Sequence, residues 1–186
     1  DKDRVRMYSL NPSNGKIKQL QAKEDVISDY SIANQAFEMV YFGLSASNSQ
    51  RLYTYNLKND ASSCLIDLSK EILRDVTLGE VQDWNFVSAQ GDTIYGRFYL
   101  PPHFDATKKY PMIVNYYGGT TPTARVMESR YPSHVYAGLG YIVYIIQPSG
   151  ATGFGQEFSA RHVNAWGKLT ADEIIEGTKK FCEEHP

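Results

Sequence analysis

A tyrosine followed by two glycines, Tyr117-Gly118-Gly119, is the part of the sequence that best fits a reaction centre. Residues 112–117 are apolar on both faces, which predicts a buried strand of the kind found in parallel sheets covered by helices. Paired glycines after such a strand let the backbone approach a ligand and present N–H groups to it, which suits developing negative charge. A plain tight turn between strand and helix explains the same residues, so the tripeptide alone does not decide.

The second candidate motif is the glycine-rich segment 150–155, which reads G-x-x-G-x-G. Its spacing fits neither nucleotide-binding fingerprint and no Lys-Ser/Thr pair follows it, so we predict no cofactor. Cys64 and Cys182 lie in segments of different character, and no Cys/His spacing resembles a zinc site. We therefore predict no metal and two buried, inert thiols.

Composition and charge exclude several classes of function. The chain has 186 residues, 42% hydrophobic and 22% charged, with a net charge of −2, so it carries no basic field for nucleic acid. No run approaches the ~20 apolar residues of a membrane span. Residues 1–4 contain neither a methionine nor the apolar stretch of a signal peptide, and the sequence stops just past a helical pattern. We expect a fragment of a longer protein.

Residues 1–70 predict short antiparallel strands joined by turns. Two hairpins match, with Met7-Tyr8-Ser9-Leu10 in one and Thr54-Tyr55-Asn56-Leu57 in the other, at a spacing of 47 residues. Two further strand patterns lie between them, and a four-strand repeat of roughly 40–50 residues is typical of a β-propeller blade. Chance similarity of two hairpins in an ordinary meander is the alternative.

The character of the sequence changes after a linker at residues 71–79. Residues 81–88 and 93–100 predict a pair of strands. Residues 112–117 and 141–146 predict two more strands, joined through a helix at 132–139 in a crossover that is parallel and right-handed by default. Residues 169–182 predict a helix that begins with a capping box made by Thr170 and Glu173.

Four motifs, in order along the chain, resemble the prolyl oligopeptidase family of serine peptidases, and most of all its dipeptidyl-peptidase IV branch. They are Gly91-Asp92-Thr93-Ile94-Tyr95-Gly96 with Tyr99-Leu100-Pro101-Pro102, Lys109-Tyr110-Pro111 with Tyr117-Gly118-Gly119, Gly150-Ala151-Thr152-Gly153-Phe154-Gly155-Gln156-Glu157-Phe158, and Trp166-Gly167-Lys168. The resemblance implies an α/β-hydrolase-type sheet, its N-terminal part only, preceded by antiparallel β-propeller blades. The expected domains are blade strands at 1–70, a linker at 71–79, and the first half of a catalytic domain at 80–186, ending before the nucleophile elbow.

The resemblance also implies a role for Tyr117, whose hydroxyl would donate to the oxyanion, while Tyr116 would point to the other side of the strand and pack there. The nucleophile elbow G-x-S-x-G is absent: the most similar stretch, residues 43–47, lacks the second glycine. The acid and histidine that follow the serine in such enzymes are expected to be absent too, so none of the four histidines is assigned as the base. Pro148-Ser149 stands where the family usually has an arginine and Thr120 where it often has a proline. No substrate-binding residue is assigned.

The sequence thus predicts part of a serine exo- or oligopeptidase that acts on short peptides and releases N-terminal dipeptides, often after proline, the fragment alone being inactive. Two alternatives remain open: a non-catalytic binding module of the same architecture, and an acyl-peptide hydrolase or esterase. We expect a peptide substrate, no nucleic acid and no membrane span, and leave open a homo-oligomer formed through exposed sheet edges. A periplasmic or secreted location is slightly favoured over the cytoplasm.

Overall fold

The computed structural model describes residues 1–165 and 167–185, so Trp166 of the fourth motif and Pro186 lie outside the described residues. The chain divides into two compact units. The first comprises Asp1, Asp3–Val76 and Arg125–Ser129, and the second comprises Lys2, Thr77–Ala124 and the described residues from Arg130 onward. Each unit has a hydrophobic core of its own.

The first unit is built of antiparallel strands. They are β1 (Tyr8–Leu10), β2 (Ile17–Gln19), β3 (Val26–Ile32), β4 (Glu38–Ser45), β5 (Asn48–Asn56) and β6 (Ala61–Asp67), followed by a short helix, α1 (Ser69–Ile72). Strands β1 and β2 form a hairpin, and β3 to β6 form a four-stranded sheet in which each strand pairs with the next. The two matching stretches lie at the ends of β1 and β5, and each leads into the turn of a hairpin.

Tyrosines fill the core of the first unit. Tyr41, Tyr53 and Tyr55 are buried together, and the rings of Tyr41 and Tyr53 stack with their centroids 5.1 Å apart. The Tyr41 hydroxyl accepts the Lys23 backbone N–H at 2.8 Å, and the Tyr55 hydroxyl accepts the Gln21 N–H at 3.0 Å. Tyrosine suits this position because its ring packs on the sheet while its hydroxyl satisfies the backbone that crosses over the sheet.

The second unit contains a mixed sheet with helices packed on it. Its elements are β7 (Val81–Val87), β8 (Thr93–Tyr99), β9 (Met112–Asn115), α2 (Ser133–Gly138), β10 (Ile142–Gln147), α3 (Gln156–Ala160) and α4 (Lys168–Glu184). The strand order is β7-β8-β10-β9, with β9 and β10 parallel and the other pairs antiparallel. The predicted parallel crossover is therefore confirmed.

The core of the second unit lies between β10 and α4. All six residues of β10 are buried, which explains why this is the most apolar run of the chain. Gly177 allows α4 to approach the sheet closely, because a Cβ there would lie 2.6 Å from the Phe86 ring and 2.9 Å from Ile146. One turn later, the Phe181 ring stacks on Tyr144 with centroids 4.9 Å apart.

The predicted capping box at the start of α4 is wrong. The N-cap is Gly167, with φ +100° and no side-chain cap, and the helix begins at Lys168. Because the helix starts earlier than predicted, Thr170 and Glu173 lie inside it and are both buried. Glu173 reaches across to the segment after β10 instead of back to its own helix.

Two burial predictions are also wrong. Strand β9 is half-buried throughout, because it lies at the edge of the sheet formed by the described residues. Both cysteines are exposed free thiols: Cys64 lies on the edge strand β6, and Cys182 follows the buried Phe181 on the outer side of α4. Within residues 1–165 and 167–185, no helix is long and apolar enough to cross a membrane.

Candidate active site

Tyr117 lies just beyond the carboxyl end of β9, on the loop that leaves the sheet. Tyr117 is 56% exposed, so a large part of the residue is in contact with solvent. Tyr116 is 49% exposed, and the packing role predicted for it is not seen. The strand ends at Asn115, so the strict alternation of faces that would have buried Tyr116 no longer applies.

The two glycines after Tyr117 play different parts. The ring of Tyr117 lies over Gly119, where an added Cβ would approach its Cε1 at 2.7 Å and its hydroxyl oxygen at 3.3 Å. At Gly118 an added Cβ would meet nothing within 4 Å. Neither glycine has the positive φ that would require glycine for backbone reasons. Glycine is therefore required at position 119 for steric reasons, because a side chain there would overlap with the Tyr117 ring.

Two buried polar side chains of the sheet hold the loop after β9 in place. Arg97 on β8 is 1% exposed and donates from its guanidinium to the carbonyls of Thr123, at 3.3 Å, and Ala124, at 2.6 Å. Gln147, the last residue of β10, accepts the Thr123 N–H at 2.9 Å and donates to its carbonyl at 2.8 Å. An irregular loop thus receives hydrogen bonds that its own backbone cannot make.

The glycine-rich segment forms a second loop, directly after β10. Gly150, Gly153 and Gly155 have φ of +98°, +91° and +109°, values that side chains rarely tolerate. Between them, Thr152 donates its N–H, at 2.8 Å, and its hydroxyl, at 3.1 Å, to the carbonyl of Thr120. The glycines therefore shape a second loop that is hydrogen-bonded to the Tyr117 loop through Thr152.

A buried acid supports this second loop. Glu173 is 1% exposed, and its Oε2 accepts the backbone N–H of Ser149 at 2.8 Å. Its other oxygen has no hydrogen-bond partner among the described residues. Burial raises the pKa of this carboxyl, and the negative charges of Asp92 and Glu176 add to the rise, while hydrogen bonding from Ser149 partly offsets it.

Three of the four histidines lie against neighbouring residues of the second unit. His185 stacks on Phe181 with ring centroids 4.4 Å apart, and His134 meets Tyr99 edge-on at 5.0 Å. His162 lies against Gly150, where an added Cβ would meet it at 2.7 Å. Within the same residues, no cluster of three or more His, Cys, Asp or Glu side chains could hold a metal ion.

Sequence reasoning singled out Tyr117 as the candidate and did not single out the residues that hold its loop, which are Arg97, Gln147, Thr152 and Glu173. Arg97 could have been noticed in the sequence, because it is the one charged residue in the strand 94–99. A charged side chain in such a strand is rarely buried unless it has partners. Gln147 ends an apolar strand in the same way. The hydrogen bond between Ser149 and Glu173 joins residues that are 24 positions apart in the sequence, and no local sequence pattern predicts it.

Comparison with known proteins gives consistent matches. A sequence model of the prolyl oligopeptidase family matches residues 128–185. The chain is 28% identical to dipeptidyl-peptidase 5 of Porphyromonas gingivalis, over 96% of this chain and 26% of that protein. It is 34% identical to a probable dipeptidyl-peptidase 5 of Aspergillus terreus, over 50% of this chain and 12% of that protein.

Solved structures agree in fold. The acylaminoacyl peptidase of Pyrococcus horikoshii superposes on the whole chain with a TM-score of 0.84 at 19% identity, and the match covers 28% of that protein. The chain thus spans about a quarter or less of the length of the two curated relatives, and little more of this structure.

Proposed function

We propose that this chain, which belongs to the prolyl oligopeptidase family, is the part of a serine peptidase that supplies the oxyanion-binding tyrosine. The proposal includes a sheet of the α/β-hydrolase type in the second unit, which is supported by its strand order and by its likeness to the structural neighbour. One observation carries the proposal: Tyr117 stands at the carboxyl end of a parallel strand, where ligands bind in open α/β sheets.

The chemistry assigned to Tyr117 is electrostatic. When a serine Oγ attacks a peptide carbonyl, its proton passes to a histidine and the carbonyl oxygen becomes an oxyanion. The Tyr117 hydroxyl would donate a hydrogen bond to that oxygen, and the bond strengthens as the charge develops, so the transition state gains more than the substrate. The second donor in such sites is the backbone N–H after the nucleophile. Residues 1–186 contain no G-x-S-x-G motif, so we propose that the chain alone is inactive.

The anchored loops support this assignment, because an oxyanion donor is effective only if it is already in place before the reaction. Arg97, Gln147 and Thr152 together make six hydrogen-bond contacts to the stretch 120–124. These contacts hold the backbone three to seven residues beyond Tyr117. The ring of Tyr117 itself occupies the space that a side chain at Gly119 would need.

We further propose that residues 1–70 are blade strands of a β-propeller. The sheet β3 to β6 is a four-stranded antiparallel meander, and the β1–β2 hairpin before it shares a Tyr-x-Leu pattern, at Tyr8 and Leu10, with the β5–β6 hairpin, at Tyr55 and Leu57. One blade that adjoins part of a neighbouring blade in the sequence would have this arrangement.

The proposed substrate is a short peptide with a free amino terminus, from which the enzyme removes dipeptides. The support is that two relatives are named as dipeptidyl-peptidases. The second candidate is removal of a blocked terminal residue, the activity in the name of the structural neighbour, an acylaminoacyl peptidase. Its 19% identity bears on the fold and not on this choice.

The test compares matched fluorogenic substrates on the full-length protein. One set carries X-Pro or X-Ala dipeptides with a free amino group, the second the same dipeptides acetylated, and the third single acetylated amino acids. Hydrolysis of the free dipeptides, with strong loss on acetylation, is the expected result. Preference for acetylated amino acids would replace the proposal with the second candidate. No turnover in any set would indicate a binding module.

A further inference from the structure

Two glutamates one turn apart on α4 each accept a backbone N–H from a loop. Glu176 accepts from Ala89 at 3.1 Å, in the turn between β7 and β8, and is half-buried. Glu173 accepts from Ser149 at 2.8 Å and is 1% exposed. A hydrogen bond from a backbone N–H to a glutamate of α4 thus occurs twice, once at a half-buried position and once at a fully buried position.

Only the contact of Glu173 leads to Tyr117. Ser149 begins the glycine-rich loop, and three residues later Thr152 donates both its N–H and its hydroxyl to the carbonyl of Thr120. Thr120 directly follows Gly119, on which the Tyr117 ring lies. A continuous path of short contacts therefore runs from the carboxylate on the helix to the loop of the proposed oxyanion donor.

The charges around Glu173 indicate that it acts as an acceptor and not as half of an ion pair. Its charged neighbours Asp92 and Glu176 are both acidic. The nearby cations serve other carboxylates: Arg161 pairs with Asp92 at 3.1 Å and Lys180 with Glu176 at 2.9 Å. At this depth water cannot replace the acceptor, so without it the Ser149 N–H would lack a partner.

We propose that Glu173 is a positioning residue: by holding Ser149 it fixes the loop after β10, and through Thr152 it fixes the loop that carries Tyr117. The effect on catalysis rests on the proposed function, whereas the ordering of the loops does not. Because the role is that of an acceptor, glutamine should serve as well as glutamate, and an apolar side chain of similar size should not.

The test uses three variants of the full-length protein: Glu173→Gln, Glu173→Leu, and Glu176→Leu as the matched control on the same helix. Steady-state kinetics give kcat and KM, and hydrogen exchange followed by mass spectrometry gives the protection of the peptides that contain Ser149 and Thr152. Thermal unfolding is measured alongside, so that activity is compared only among folded proteins.

We expect Glu173→Leu to lower kcat by about 10-fold or more with KM within about twofold, because loop misplacement affects the transition state more than binding. Its 149–152 peptides should exchange faster. Glu173→Gln should stay within about threefold of wild type in kcat, since its amide oxygen can accept the same bond. Glu176→Leu should leave kcat and these peptides unchanged.

Equal losses in Glu173→Leu and Glu176→Leu, or normal kcat and protection in Glu173→Leu, would overturn the proposal. A loss in Glu173→Gln as large as in Glu173→Leu would also overturn it, because charge would then matter. If the wild-type protein has no peptidase activity, the proposed function fails, and protection of the 149–152 peptides alone decides the positioning role.

Should Glu173→Leu not fold, Thr152→Val tests the last link. It removes only the hydroxyl bond to Thr120, on an exposed residue. We expect kcat to fall by roughly 2- to 10-fold, the effect of one ordinary hydrogen bond, in a protein that remains folded at the assay temperature. An unchanged kcat would refute the path.

Discussion

Replacing Gly119 with alanine should separate the placement of Tyr117 from the stability of the fold. The backbone at Gly119 has no positive φ, so alanine introduces no backbone strain there. Its methyl group, however, would lie 2.7 Å from Cε1 of Tyr117, whereas ordinary contacts begin at 3.4 Å. Gly118→Ala is the matched control, because the same methyl group one residue earlier meets nothing within 4 Å.

The size of the effect follows from this overlap. The alanine methyl group is fixed to the backbone, whereas the Tyr117 ring is half-exposed and can move. We therefore expect the ring to shift by about 0.7 Å or more, which restores ordinary contact. Misplacing a catalytic group by 1 Å can cost about 100-fold, so we expect kcat to fall by roughly 10- to 100-fold in the full-length enzyme. Stability should be unchanged or raised by about 0.4–1 kcal/mol, since alanine restricts the unfolded chain.

The assay is steady-state hydrolysis of a fluorogenic dipeptide, with thermal unfolding of the same samples. Gly118→Ala should keep kcat within about twofold of wild type, as surface substitutions with no contact usually do. Equal kcat values for the two alanine variants would refute the argument that Gly119 supports the ring. A Gly119→Ala protein with a lowered unfolding temperature would show that the glycine serves the fold instead.

Three further outcomes are expected. Arg97→Met should lower the free energy of unfolding by about 2–3 kcal/mol in urea, because it removes a buried guanidinium that serves two loop carbonyls; a change below about 0.5 kcal/mol would contradict this. The folded-state pKa of Glu173 is raised above 4.5, so its protonated form favours folding and wild type should lose that stability as pH rises through the folded pKa. In Glu173→Gln this loss should be absent, and the free energy of unfolding of both proteins, measured from about pH 4 to about pH 8, would show the difference. The same pH dependence in both proteins would contradict the prediction. Finally, chain 1–186 should not react with a fluorophosphonate probe, since an activated serine needs an adjacent base; stoichiometric labelling would contradict the absence of the nucleophile.

The sheet of the second unit was predictable because its strands carry strong local signals. The run 141–146 is apolar throughout and the helix after Pro132 ends before Gly140, so the parallel crossover could be read from the sequence. The edge position of β9 could not, because an apolar strand reads the same whether it is covered on one side or two. The start of α4 was misplaced because Thr170 and Glu173 have the spacing of a capping box, while burial against the sheet decides their actual position.

The candidate site shows the same division. Tyr117 could be proposed from the sequence because a resemblance to a family points to one residue, and its neighbouring glycines are visible in the sequence. The residues that hold its loop act across the fold: Arg97 reaches Thr123 over 26 positions, and Thr152 reaches Thr120 over 32. Such pairs depend on which strands become neighbours, and that is fixed only when the sheet has formed.

The central claim is that the Tyr117 hydroxyl stabilises the oxyanion, and the most direct measurement is kcat of Tyr117→Phe beside Tyr116→Phe in the full-length enzyme. Both side chains are about half exposed, so losing either hydroxyl should leave the fold intact. Tyr117→Phe should lower kcat by roughly 10²–10³, about 2.7–4 kcal/mol, with KM little changed, the usual effect of removing one oxyanion donor. Tyr116→Phe should cost far less. Near-normal kcat in Tyr117→Phe, or the larger loss in Tyr116→Phe, would contradict the assignment.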